Sequence, residues 1–456
     1  MYDIKIFHFE KTYLLNELIK IFLRPDQYRL LGDDEPVGEN CICINEENSD
    51  DKHQINREIY DKLSALTGKK PEWGTLTGVR PVKLCGEIYE RLQDRELVIE
   101  KMMGDYYLSR EKAELIVDTY LHQQEFCGKA GEKTACVYVG IPFCPTRCVY
   151  CSFASNQVPD AEIVKYLEAL HKEVEQVGKR MQETGIIPET IYIGGGTPTT
   201  LTAEQMDRLI AKIKTCFDMT KVREFTIEAG RPDTITEDKL EVIRNHGITR
   251  ISINPQSMKA RTLELIGRSH QPEDIEKAFD MAKSKGFDNI NADIIAGLPE
   301  ESVEDYINTL NKVIDLDPES ITVHCLAVKR ASKLNEQDPD FHYKQAELVA
   351  EMLHQSREIL EKAGYFPYYL YRQKHMAGAF ENIGYCKKDK DCIYNVRIMD
   401  EHQINIALGA GGISKMYYPE ENWLERVPNV TNYQEYIKRI DEMLDRKENN
   451  IFKEVE

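Results

Sequence analysis

Between residues 135 and 326, short apolar runs alternate with longer stretches whose apolar residues recur at three- and four-residue spacing. The runs are ACVYVGI (135–141), TIYIGG (190–195), EFTIEA (224–229), RISIN (250–254), NINADII (289–295) and ITVHCL (321–326). Between them lie EIVKYLEALHKEVEQVGKRM, AEQMDRLIAKIKTCF, EDKLEVIRNH, PEDIEKAFDMAKSKG and VEDYINTLNKVIDL. A run that is apolar throughout suits a strand covered on both faces. Six such runs, each followed or preceded by an amphipathic helix, predict β–α units forming a parallel sheet with helices outside. The pattern alone leaves a doubly wound sheet and a barrel both open.

The flanks read differently. Residues 1–45 predict a strand (YDIKIFHF), an amphipathic helix (TYLLNELIKIFL) and a second strand at CICIN, followed by a charged loop over 46–54. From 55 to 128 the spacing is helical, in NREIYDKLSAL, RPVKLCGEIYERL and REKAELIVDTYLHQQEFC, and GKAGEK (128–133) has the composition of a linker. Beyond 331 the alternation stops. A long helix, KQAELVAEMLHQSREILEKAG, ends at Gly364; a Tyr-rich piece, YFPYYLYRQKHMAG, and a terminal helix around TNYQEYIKRIDEML follow; RKENNIFKEVE reads as a frayed tail. The expected organisation is an N-terminal α+β domain (1–130), a six-unit α/β domain (131–335) and a small α+β C-terminal region (336–456).

Charge narrows the class. The 456 residues carry 59 Lys plus Arg against 78 Asp plus Glu, a net charge of −19. This argues against non-specific binding to nucleic acid or an anionic membrane. No apolar stretch approaches the roughly 20 residues of a membrane span. The opening MYDIKIFHFEKTYLL lacks the features of a signal peptide. With twelve cysteines and no export signal, the reading is a cytoplasmic protein with reduced thiols.

Three of those cysteines stand together. Cys144, Cys148 and Cys151, in GIPFCPTRCVYCSF, follow the first run at the carboxyl end of a strand, where parallel α/β folds place their chemistry. Structural zinc takes four ligands, and a 4Fe–4S cluster takes one per iron. Three thiolates leave one iron open to a ligand that is not protein. The other nine cysteines lack such a constellation and read as buried small hydrophobes or idle thiols.

C-x-x-x-C-x-aromatic-C after a first strand resembles the signature of radical S-adenosylmethionine enzymes, with Tyr150 at the aromatic position. The resemblance implies a partial (β/α)6 barrel and a 4Fe–4S cluster whose open iron is chelated by S-adenosylmethionine. Reductive cleavage of that cofactor yields a 5′-deoxyadenosyl radical. GGGTPT (194–199), with Gly195, Gly196 and Thr197, resembles the family's glycine motif beside the methionine moiety. By the same resemblance Glu228 contacts the methionine end, Arg268 its carboxylate, and Gln256 and Asp293 the ribose hydroxyls. Singly, each of these polar residues reads as a solvated strand end or a helix cap; their common order carries the resemblance.

YVGIPFCPTRCVYCSF with EAGRPDT, NPQS, GRSH and DIIAGLP is similar to the oxygen-independent coproporphyrinogen III oxidase group. WGTLTGVRP (73–81) and PYYLYRQK (367–374) resemble its HemZ-type branch. The implied reaction is oxidative decarboxylation of two propionates of coproporphyrinogen III to vinyl groups. A flavodoxin or ferredoxin would donate electrons, and Tyr138 and Tyr150 would stand at the reacting centre. The group also contains haem chaperones and methyltransferases, so haem trafficking and radical methyl transfer are competing readings. Two departures stand out. Gly140 occupies the place of the oxidases' His, and Ser152 and Phe153 replace their fourth Cys. ENIGYC (381–386) lacks the H-N-x-x-Y-W string of the haem chaperones. A substrate with four carboxylates calls for local cations. The candidates are Arg80, Lys83, Arg147, Lys329, Arg330, Arg372 and Lys374, with Arg372 and Arg80 foremost as propionate anchors in walls outside the barrel.

Overall fold

The structure, a computed structural model, describes the chain except residues 8–11, 33, 39–40, 46–52, 154, 330–331, 339–340, 374–379 and 456. Parts of the expected charged loop at 46–54, together with Arg330 and Lys374, lie outside the described residues. The chain opens with β1 (Tyr2–Phe7), central in a three-stranded parallel sheet between β2 (Tyr28–Leu30) and β3 (Ile42–Asn45). β1 and β3 are the two expected strands. β2 is three residues long, too short to show a period. Helices Thr12–Phe22 and Gln54–Thr67 close this sheet's own core, built on Ile4, Ile19, Phe22, Ile44, Ile59 and Leu63.

All six apolar runs are strands: β4 (Thr134–Ile141), β5 (Ile187–Gly195), β6 (Glu224–Glu228), β7 (Arg250–Ser252), β8 (Ile290–Ala296) and β9 (Ser320–Cys325). They pair in chain order, every pair parallel. The intervening amphipathic stretches are helices, the longest Asp160–Thr184. The α/β class and the partial six-unit barrel therefore stand.

The C-terminal region differs from the expectation of an appendage. It continues the same sheet at both edges. β10 (Phe366–Arg372) and β11 (Glu381–Cys386) add antiparallel strands beside β9. β12 (Ile404–Leu408) adds parallel to β4, followed by the antiparallel pair β13 (Ile413–Tyr418) and β14 (Trp423–Pro428). The result is one open sheet of eleven strands. One apolar core runs from Trp73 to Phe452, so packing crosses both expected boundaries, at 130 and at 335. The division in the packing falls earlier, between Leu63 and Trp73.

Two further differences have physical reasons. Helix Arg95–Tyr106 escaped notice because its apolar residues do not line one face. The tail is not frayed: Ile451 and Phe452 are buried, and Lys447 Nζ lies 2.8 Å from Glu173 Oε1 in the core. Glu173 also accepts from the Tyr436 hydroxyl at 2.6 Å and from Gly409 N–H at 2.7 Å, so the tail closes a buried polar network. Among the described residues no helix is long and apolar enough to cross a membrane.

Candidate active site

The loop after β4 brings Cys144, Cys148 and Cys151 to the carboxyl end of the sheet, at the mouth of a cavity of about 420 Å³. The loop is tied to its neighbours by Cys144 N–H donating to Asn156 O (3.1 Å) and Val149 N–H donating to Ile266 O (3.0 Å). All three cysteines line the cavity. Burial pushes the Cys144 thiol up to about 11 and raises that of Cys151. Thr197 Oγ1 donates to Cys144 Sγ at 3.4 Å.

The glycine motif is packed against that loop. Gly196 N–H donates to Ile141 O (2.8 Å) and Thr197 N–H to Phe143 O (2.7 Å). A Cβ at Gly196 would stand 2.5 Å from Phe143 O and 2.9 Å from Cys144 Sγ, so only glycine lets the two loops meet. Gly195 N–H donates to Glu228 Oε2 (3.2 Å), and the Tyr192 hydroxyl donates to Glu228 Oε1 (2.7 Å). Burial nevertheless holds the Glu228 carboxyl at about 7.

Every cofactor residue expected from the sequence lines this one cavity. Arg268 donates Nη1 to Asn254 O (2.8 Å) and Nη2 to the Tyr150 hydroxyl (3.4 Å), which leaves Nε buried with no partner. Gln256 sits at φ 66, a strained value for a residue with a side chain, and its Oε1 is buried without a partner. Asp293 accepts from Asn291 Nδ2 at 2.7 Å and faces His324 Nε2 at 3.7 Å; burial opposes its charge, but these partners hold its carboxyl below the usual range. Burial raises the phenols of Tyr138 and Tyr150, so both stay protonated.

Sequence reasoning missed much of the wall. Tyr138 and Tyr192 stack with Tyr394, and Tyr369 and Tyr371 add a second aromatic surface. Thr226 and Glu228, Arg250 and Ser252, Asn291 and Asp293, and Thr322 and His324 also line the cavity, two residues apart within their strands. Side chains of a strand alternate between faces. Polar residues at period two inside otherwise apolar runs were the available signal. Gly140 lies on β4 where a Cβ would meet Leu408 O at 3.3 Å, so the turn after β12 occupies the space beside it.

The propionate anchors expected from sequence are corrected. Neither Arg80 nor Arg372 lines the cavity. Arg372 is 3% exposed; its guanidinium lies 4.5 Å from the Trp73 ring centre and donates to Leu76 O. Tyr369 and Tyr371 face the cavity, so Leu370 and Arg372 face the N-terminal helices. Arg80 pairs with buried Glu401. WGTLTGVRP and PYYLYRQK thus pack against each other, with Arg372 N–H donating to Val79 O at 2.8 Å. Of the remaining described candidates, Lys329 lines the cavity, with Nζ 5.6 Å from the Phe153 ring centre, whereas Lys83 and Arg147 do not. Arg231, also lining it, is pinned by Asp233 at 2.8 Å.

The residues fit the implied cofactors. Three cysteines line one cavity with no fourth cysteine in their loop, and two buried polar atoms, Arg268 Nε and Gln256 Oε1, have no partner in the same cavity. The model of the Radical SAM superfamily matches residues 138–313. The chain is 38% identical over 402 residues to the oxygen-independent coproporphyrinogen-III oxidase-like protein HemZ of Bacillus subtilis, covering 87% of this chain and 80% of that one. It is 33% identical to the heme chaperone HemW of Bacillus subtilis over 42% of this chain, spanning half the length of that relative. Among solved structures, Escherichia coli coproporphyrinogen III oxidase, HemN, matches in fold with a TM-score of 0.54, at 23% identity over 68% of this chain and 70% of that one.

Proposed function

The chain belongs to the radical SAM superfamily, in its HemN/HemZ group, and on that premise we propose that it decarboxylates the propionates of coproporphyrinogen III oxidatively to vinyl groups without oxygen. The observation that carries this reading is the likeness to HemZ over most of both chains. The cluster and S-adenosylmethionine of the superfamily supply, when bound, a carbon-centred radical able to take hydrogen from an unactivated C–H bond.

The chain's own residues bind, orient and exclude water. Cys144, Cys148 and Cys151 hold the cluster. Arg268 Nε, the guanidinium nitrogen left without a partner, offers its N–H to the carboxylate of the methionine moiety. Glu228 accepts from the amino end, and Gln256 Oε1 and Asp293 accept from ribose hydroxyls. Gly195 and Gly196 let backbone approach the same moiety. The tyrosine surfaces of Tyr138, Tyr192, Tyr369 and Tyr371 give a tetrapyrrole flat apolar contact, and Tyr138 and Tyr150, which line the same cavity, serve at the reacting centre. Lys329 replaces Arg372 and Arg80 as the cation for a propionate. A small redox protein of the flavodoxin or ferredoxin kind supplies electrons.

The likeness to HemW favours a second reading, haem trafficking. ENIGYC, where the haem chaperones carry their string, is β11 and is buried along its length, which speaks against it. Anaerobic incubation of reconstituted protein with reductant, S-adenosylmethionine and coproporphyrinogen III decides. Protoporphyrinogen or the one-vinyl intermediate is expected. Haem binding without turnover supports trafficking, and a methylated product supports methyl transfer.

A further inference from the structure

A second cluster of ligating side chains lies at the opposite end of the sheet. Cys386 ends β11, where it pairs with Ser320, the first residue of β9. It is therefore at the amino ends of the parallel strands, whereas the cluster cysteines are at the carboxyl ends. His122, on helix Arg110–Phe126, and Asp391, in the loop after β11, meet it there. One donor atom from each of the three lies within 4.8 Å of the others. His122 Nε2 is 2.5 Å from Asp391 Oδ1.

The details point to a ligand rather than to an ion pair alone. The Asp391 side chain is 1% exposed, and its Oδ2 is buried with no hydrogen-bond partner. A His–Asp pair would use one oxygen and leave the other costly. Cys386 is buried beside them. His122 is 35% exposed along its side chain, which gives an ion a way in. One imidazole, one thiolate and one carboxylate suit zinc among the divalent ions, with the fourth position left to water.

We propose that His122 Nε2, Cys386 Sγ and a carboxylate oxygen of Asp391 bind one Zn²⁺. Binding releases the thiol proton to solvent, and releases the Nε2 proton where the imidazole carries one; no electrons move. The site would tie helix Arg110–Phe126 to the loop that leads into helix Ile393–Asp400. The first residues of that helix, with its cap Cys392, border the cofactor cavity, which Cys392 and Asn395 line. Zinc would therefore brace the cavity floor from below.

The test uses the cluster-loaded enzyme, in which Cys144, Cys148 and Cys151 are occupied by iron. Zn²⁺ is titrated against a chelating indicator, and the zinc X-ray absorption edge is recorded. One zinc per chain is expected, with a single sulfur at about 2.3 Å and lighter ligands at about 2.0–2.1 Å. Asp391→Asn and Cys386→Ser should each lower the affinity at least about a hundredfold with iron content unchanged. No tight zinc, two or more sulfur ligands, or unchanged affinity in both variants overturns the proposal. The absorption spectrum of the unmodified enzyme decides even if a variant fails to fold.

Discussion

Arg268 and Arg372 both lie in motifs that carry the family resemblance; Arg372 is buried, and Arg268 is half-buried with its Nε enclosed. Their surroundings differ in one respect. Arg372 lies over the Trp73 ring and donates to Leu76 O, beside Glu381, which is paired to Lys112 at 2.6 Å and accepts from Trp73 Nε1 at 2.6 Å. Arg268 has two nitrogens engaged and a third with no partner, in a cavity where Gln256 Oε1 is also unpaired. The first arrangement is a seam joining β10 and β11 to the N-terminal helices. The second lines a cavity in which polar atoms are left without partners. Completeness of hydrogen bonding separates the two.

The contrast breaks most sharply at the cysteine loop. Replacing Cys144, Cys148 or Cys151 by Ala should abolish cluster content and all cofactor cleavage after anaerobic reconstitution, measured as iron per chain and as 5′-deoxyadenosine. A triple variant that still takes up four irons would refute the assignment. At the seam the loss should be of stability instead. Glu381→Ala leaves Lys112 and Arg372 buried without their carboxylate, and should cost about 3–5 kcal/mol in denaturant unfolding. Arg372→Met should cost less, about 1–2 kcal/mol, because Lys112 keeps its partner and Met still covers Trp73. Neither seam variant should change S-adenosylmethionine affinity.

A third buried group sharpens the rule. Glu301 Oε2 and Thr262 Oγ1 are both buried and unpaired, away from the cavity. Burial holds the Glu301 carboxyl at about 7, above its unfolded value near 4.5, although the Ser257 hydroxyl donates to its Oε1. The sign follows from linkage. The fold prefers the protonated form, so stability is highest below about pH 4.5 and falls as pH rises toward 7, by up to about 3 kcal/mol. Glu301→Gln should remove that slope. Parallel unfolding curves for both proteins at pH 5 and pH 8 would show that the carboxyl is ordinary.

How much of this was legible follows from where the physics is local. The six strands were readable because strands covered on both faces must be apolar throughout. Cys144, Cys148, Cys151, Gly196 and Arg268 stood out through the motifs they share with the superfamily, and the structure brings all five to one cavity. The destination of the C-terminal strands was not, since pairing of β12 with β4 joins residues 404–408 to 135–139 and leaves no periodic trace. Arg372 misled for a related reason. Its tyrosine neighbours do face the cavity, but alternation along β10 turns the arginine away, and which parity faces inward is set by a sheet the sequence does not display. The tail was misread because Lys447 looks solvated until Glu173 is placed beside it.

Arg268 tests the open place directly. Arg268→Ala should leave the cluster intact, since no cysteine depends on it for ligation. It removes the donors that hold Asn254 O and the Tyr150 hydroxyl, together with the unpaired Nε. A charge-assisted hydrogen bond to a carboxylate contributes roughly 1.5–3 kcal/mol, so S-adenosylmethionine should bind about ten- to a hundredfold more weakly. Arg268→Lys separates the possible causes. A lysine keeps the charge but not the fork that serves Asn254, Tyr150 and a ligand together. If Arg268 acts only as a strut under Tyr150, both variants should lose stability and bind the cofactor equally well. If its free Nε is the ligand's donor, both should bind weakly, with lysine between alanine and the parent, and unfolding should move little. Equilibrium binding and unfolding on the same three proteins distinguish these outcomes. Unchanged affinity in both variants would move the carboxylate's partner elsewhere in the cavity and remove the distinction drawn between the two arginines.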